Sequence, residues 1–159
     1  MLVKDIHHLT LLTSDMDRLI AFYERVFEAR VVFDQEEEGL RHAFIEIGPH
    51  TMLHPFQIPG IEPPPYQPIF QRGRLDHFAL HAANEEAFWE LRRRVLAEAA
   101  GDGVVTDLQA LLQFNFTDPD GGGYEVVLVK PGIPMEAGVR RNWTIVEVEV
   151  TDGGANPAA

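Results

Sequence analysis

The tetrapeptide Ala21-Phe22-Tyr23-Glu24 returns later in the chain as Ala87-Phe88-Trp89-Glu90, and His8-Leu9 returns as His77-Phe78. The first pair is 66 residues apart (21 to 87) and the second 69 (8 to 77), so a three-residue difference in one strand-to-helix turn aligns the copies. A repeat of this size constrains the fold strongly: each copy has to be one supersecondary unit, and the pair has to share its architecture.

Hydrophobic periodicity supplies that architecture. Residues 5–13 alternate as a strand, with His8, Thr10 and Leu12 on one face and Leu9 and Leu11 on the other. Ser14 or Asp15 then caps a helix whose apolar positions Leu19, Ile20, Phe22, Tyr23, Val26 and Phe27 recur at helical spacing. Residues 30–33 read as a second strand, the acidic 34–39 as a hairpin loop, 41–47 as a third strand and 51–57 as a fourth. Residues 1–57 are therefore expected to form a βαβββ module. Residues 58–74, with Pro59, Gly60, Pro63, Pro64, Pro65, Pro68 and Gly73, have linker composition.

The pattern restarts in residues 75–131, with a strand at 75–82, a helix opened by Asn84 and running to about residue 100, and strands at 104–108, 111–116 and 124–129. Residues 132–159 read as an extension, with one half-buried strand at 143–150 and a disordered tail from Gly153. The expected class is α+β: two βαβββ modules forming a cupped mixed sheet.

The last strand of the second module follows a tight turn, Asp118-Pro119-Asp120-Gly121-Gly122-Gly123, and alternation puts Glu125 on one face with Val127 and Val129. A carboxylate among residues that favour burial costs several kcal/mol unless a cation meets it. The chain has no cysteine, so a metal cation would have to be held by His, Asp or Glu.

Composition excludes several other partners. The net charge of −12 and pI near 4.9 repel phosphate backbones and anionic membrane surfaces. No run approaches the roughly 18 apolar residues of a membrane span, and the N-terminus lacks a signal-peptide layout, so a cytoplasmic location is expected.

Paired βαβββ modules with His at the start of each first strand, His7-His8-Leu9-Thr10-Leu11 followed by Ala21-Phe22-Tyr23, and a DPDG-x-x-x-E motif from Asp118 to Glu125 together resemble the vicinal oxygen chelate superfamily. That superfamily includes glyoxalase I, methylmalonyl-CoA epimerase, fosfomycin-resistance thiol transferases, extradiol dioxygenases and metal-free bleomycin-binding proteins. The resemblance covers residues 3–131. It implies a divalent metal (Fe, Mn, Ni, Co or Zn) with His8, His77 and Glu125 as ligands, and His54 at the place where some members use a fourth. Such donors suit those ions.

It further implies a small-molecule substrate chelating the metal through adjacent oxygens, with glyoxalase-like lyase or isomerase chemistry or extradiol-type ring cleavage, and a homodimer. Glu125 and His81 are the catalytic candidates, His81 because it shares the face of His77. The alternative is a metal-free module that sequesters an aromatic or cationic ligand. Each His also has a plainer reading as a structural or surface residue; Glu46 is the substitute ligand in a shifted register, His7 faces away from His8, and His42 and His50 read as surface.

Overall fold

The computed structural model describes residues 2, 5–62, 65, 67–132 and the backbone of 146–148. It divides into two units, residues 1–66 with 118–122, and residues 67–117 with 123–159.

In the first unit β1 (His8–Thr13), α1 (Met16–Phe27), β2 (Arg30–Glu37), β3 (Leu40–Gly48) and β4 (Thr51–Gln57) form a sheet in the order β1-β4-β3-β2 with one helix. β1 runs parallel to β4 and the other pairs are antiparallel. Asp15 caps α1 by accepting from the Arg18 N–H at 3.0 Å, while Gln57 Oε1 accepts the Met16 N–H at 2.8 Å, so the last strand of the sheet holds the first turn of the helix. Met16, Leu19, Phe22, Tyr23 and Val26 are buried with Ala43, Ile45 and Leu53, each large side chain stabilising the fold by about 1.5–3 kcal/mol. Period-2 geometry then turns His42, Phe44, His54 and Phe56 to the opposite, half-exposed face.

The acidic stretch expected to be a loop is strand instead. β2 continues to Glu37 and the chain reverses at Glu38 and Gly39, both at positive φ (53° and 82°), as a two-residue primed hairpin turn requires. The ladder survives its charge because Arg41 reaches back to Asp34 with two hydrogen bonds, Nε to Oδ1 at 3.0 Å and Nη2 to Oδ2 at 2.8 Å.

In the second unit β5 (Ala79–His81), α2 (Glu85–Ala97), β6 (Val105–Asp107), β7 (Leu111–Thr117), β8 (Gly123–Val129) and β9 (Val146–Val148) form a five-stranded sheet in the order β5-β8-β7-β6-β9. Only β5 and β8 are parallel. Asn84 caps α2 through the Ala87 N–H at 2.8 Å. Phe88, Val95, Phe114 and Val126 are completely buried, with the Phe88 and Phe114 rings edge-on at 5.1 Å.

The expected strand at 75–82 shrinks to three residues, which leaves His77 ahead of the ladder, although the Phe78 carbonyl still accepts the Glu125 N–H at 3.1 Å. Of the expected strand at 143–150, β9 is the described part, paired to β6; the rest, like the tail from Gly153, lies outside the described residues. Among the described residues no helix is long and apolar enough to cross a membrane.

Candidate metal centre

β8 presents Glu125 on the face that α2 does not occupy, where the residue is only 8% exposed. The parallel pairing of β5 with β8 puts Ala79 beside Glu125 and His81 beside Val127, and the chain entering β5 brings His77 to the carboxylate. His77 Nε2 lies 3.5 Å from Glu125 Oε1.

Two neighbours orient this pair. Asp76 Oδ2 is 2.8 Å from His77 Nδ1, which assigns the ring proton to Nδ1 and leaves the Nε2 lone pair facing Glu125. The hydrogen bond from His77 holds the Asp76 carboxyl below the usual carboxylate range. From β7, where Gln113 is the register partner of Val127 and so lies diagonal to Glu125, the Gln113 amide nitrogen lies 3.1 Å from both Glu125 oxygens when the amide is oriented to donate.

Burial pushes the Glu125 carboxyl up; a His77 ring protonated at both nitrogens and the Arg72 guanidinium oppose the rise, and Asp76 adds to it. The balance leaves a buried carboxylate short of positive charge. Two donors about 2.0–2.2 Å from one ion stand roughly 3–3.5 Å apart, so the His77–Glu125 separation fits a shared cation, and an imidazole backed by a carboxylate is how metal-bound His is commonly held.

The first unit brings His8 and His54 together. Thr10 is the register partner of His54 on the parallel pair β1–β4, so His8 lies on the same face one step diagonally, and the two rings are 5.2 Å apart between centroids. His42, read from sequence as a surface residue, is half-buried, with its Nδ1 3.1 Å from His54 Nε2. Burial, then repulsion from His8 and His42, lowers the His54 pKa, keeping an imidazole lone pair available. Phe44 stacks on His54 at 4.0 Å and Phe56 on His42 at 5.2 Å. Beside them Glu37, Glu38, Leu40, His42 and Phe56 line an open groove of about 600 Å³.

Within the units, then, the candidates associate in two pairs, His77 with Glu125 and His8 with His54. Among the described residues no three His, Asp or Glu side chains gather closely enough to hold an ion on their own. His81 is exposed and hydrogen-bonded to neither His77 nor Glu125. Glu46, the substitute ligand, is taken by Arg30 at 2.7 Å. His7 stands by His8, Nδ1 to Nδ1 at 2.9 Å, and His50 lies exposed in the β3–β4 turn.

Sequence reasoning missed Gln113, Asp76 and His42. An Asp immediately before a candidate ligand His was a usable signal for Asp76; Gln113 and His42 depend on strand register, which residue type alone does not reveal.

The sequence profile of the Glyoxalase/Bleomycin resistance protein/Dioxygenase superfamily matches residues 5–126. No curated protein matches the chain by sequence. Similar solved structures include a glyoxylase/bleomycin resistance protein/dioxygenase domain from Frankia sp., with 16% identity, a TM-score of 0.70, and coverage of 82% of this chain and 96% of that one. The fosfomycin resistance protein FosX from Listeria monocytogenes, complexed with Mn(II) and sulfate, has 16% identity and a TM-score of 0.61 over 82% and 96%. The trypanothione-dependent glyoxalase I of Leishmania major has 19% identity and a TM-score of 0.56 over 79% and 87%. At these identities the likeness is one of fold.

Proposed function

Because the chain belongs to the Glyoxalase/Bleomycin resistance protein/Dioxygenase superfamily, we propose that it is a divalent-metal-dependent enzyme acting on a small oxygenated substrate, by lyase or isomerase chemistry or by ring cleavage. The observation that carries this reading is the buried Glu125 carboxylate facing the Nε2 of a carboxylate-backed His77. The proposed ligands are His77 and Glu125 from the second unit with His8 and His54 from the first, in the same chain or in a second copy of it.

A divalent ion bound by these groups supplies Lewis-acid stabilisation of charge developing on adjacent substrate oxygens. The chain's own residues do the rest. Asp76 fixes the His77 tautomer, Gln113 orients Glu125 by donating to it, and Glu125 and His81 are the groups proposed to hold or move a proton, at a carboxylate oxygen and at a ring nitrogen. A homodimer is part of the proposal, and sedimentation analysis measures it.

The groove lined by Glu37, Glu38 and the stacked His42–Phe56 pair favours a second reading, metal-free capture of an aromatic or cationic ligand. Elemental analysis of tag-free protein decides between them. Near-stoichiometric Fe, Mn, Co, Ni or Zn that disappears in His77→Ala and Glu125→Ala supports the enzyme. Wild-type protein that takes up none of these ions after reconstitution sinks it and leaves the binding module.

A further inference from the structure

The segment ahead of His77, read from sequence only as linker, carries a guanidinium that the metal reading does not use. The Arg72 main-chain N–H donates to Asp76 Oδ1 at 3.3 Å and its Nε to the Gln67 carbonyl at 3.0 Å. These bonds fix the root and stem of a half-buried side chain, yet among the described residues neither terminal nitrogen donates a hydrogen bond or joins an ion pair.

The head of Arg72 lies over Gly123. A methyl group added there would overlap the guanidinium carbon and both terminal nitrogens, and since Gly123 has no positive φ, what needs its missing Cβ is the close approach of Arg72. Gly123 and Glu125 are two residues apart on β8, hence on one face and about 7 Å from each other. A guanidinium is permanently charged, and its planar fork of N–H donors matches a carboxylate or phosphonate in a two-point contact. In a chain of net charge −12, whose overall field repels anions, admitting an anion calls for such a local cation.

We propose that Arg72 is the anion-recognition group of this site, and that the substrate is a small oxygenated anion whose carboxylate or phosphonate rests on the two open nitrogens, about 7 Å along β8 from Glu125. The proposal rests on the metal reading for the chelated end of that substrate; the anion contact itself belongs to Arg72 and Gly123. Arg72 touches the substrate in this scheme but exchanges no proton with it.

An NMR titration tests it. Metal-free, ¹⁵N-labelled protein is titrated at constant ionic strength with methylphosphonate, acetate and tetramethylammonium, following the Arg72 Nε–Hε and Gly123 amide signals. Saturable shifts are expected with an anion and none with the cation, and the tighter anion distinguishes phosphonate from carboxylate. Arg72→Gln removes the charge and Gly123→Ala displaces the head while keeping it; each is expected to weaken binding by about tenfold or more. Arg74→Gln, the same loss of charge at an exposed position, is expected to stay within about twofold.

The absence of a saturable wild-type response overturns the proposal, as does Arg74→Gln losing as much as Arg72→Gln, or Gly123→Ala binding normally. Should Arg72→Gln fail to fold, the wild-type titration and Gly123→Ala still decide. Elemental analysis of the same protein after reconstitution with metal separates the two readings: metal uptake without an anion response sinks the Arg72 proposal alone, and an Arg72-dependent response in protein that takes up no metal sinks the metal alone.

Discussion

Replacing Asp76 by asparagine asks whether the His77 ring is held ready for an ion. Both Asp76 oxygens accept hydrogen bonds, Oδ2 with His77 Nδ1 at 2.8 Å and Oδ1 from the Arg72 N–H at 3.3 Å. Asparagine keeps the shape but has one acceptor. With its oxygen on Nδ1, its NH₂ group faces the Arg72 N–H, donor against donor. With the amide reversed, Nδ1 must accept, the ring proton moves to Nε2, and the nitrogen that faces Glu125 at 3.5 Å loses its lone pair. Either arrangement also removes the negative charge that backs the ring. Removal of such a partner typically lowers metal affinity about 10–100-fold, and because Asp76→Asn offers no unstrained orientation the upper half of that range is expected. Competition against a chromophoric chelator, with Zn(II) and Mn(II) in turn, gives the dissociation constants. Affinity within about twofold of wild type in Asp76→Asn, beside abolished binding in His77→Ala, would refute the reasoning.

Four further outcomes follow from the same structure. Glu125→Gln should raise the stability of chelator-treated protein, measured by urea unfolding, since the amide removes a buried charge and keeps the volume. Phe114→Ala, at a completely buried site against Phe88, should cost about 3–5 kcal/mol in the same assay. Asp118→Ala removes the acceptor of the Asp120 and Gly122 N–H groups, at 3.0 and 2.8 Å, and should cost about 1–3 kcal/mol. The hydrogen bonds from Arg41 hold the Asp34 carboxyl below its ordinary range, so their contribution is present above the unfolded pKa and lost as pH falls through the folded one. Asp34→Asn should thus narrow the stability difference between pH 7 and pH 3 by about 0.5–1 kcal/mol, by calorimetric unfolding at each pH.

The repeat was legible because it is written in large side chains: Phe22, Tyr23, Phe88 and Trp89 mark both helices, and Asp15 and Asn84 mark where they start. Alternation also placed Glu125 on a face apart from Val126, and the structure puts His77 there with it. The boundaries read least well where charge and pairing conflict. Asp34 to Glu37 looked like loop because alternation carries no record of Arg41 waiting on the opposite strand, and residues 75–78 looked like strand because their pattern continues ahead of the first ladder pair, Ala79 with Glu125. Gln113 was invisible for the same reason, since its meeting with Glu125 is set by the register of β7 on β8. Arg72 was hidden by its proline-rich surroundings, and only the bare backbone at Gly123 shows where its head lies.

The turn at residues 118–122 has its own consequence. The strands it joins, β7 and β8, belong to the second unit, yet the turn belongs to the first, where Asp120 Oδ1 takes a 2.6 Å contact from Arg18 and a 3.3 Å hydrogen bond from the Ser14 N–H. No single cut releases either unit whole. A fragment ending near residue 66 would leave Arg18 and Ser14 without their acceptor, and a graft of residues 67–159 onto an unrelated chain would carry the acceptor away. For a gene that reads as a duplication, the halves have ceased to be interchangeable parts: shuffling or recombination between the copies would preserve both hydrophobic patterns and still lose this anchor, unless the five-residue loop travelled with the partner it serves.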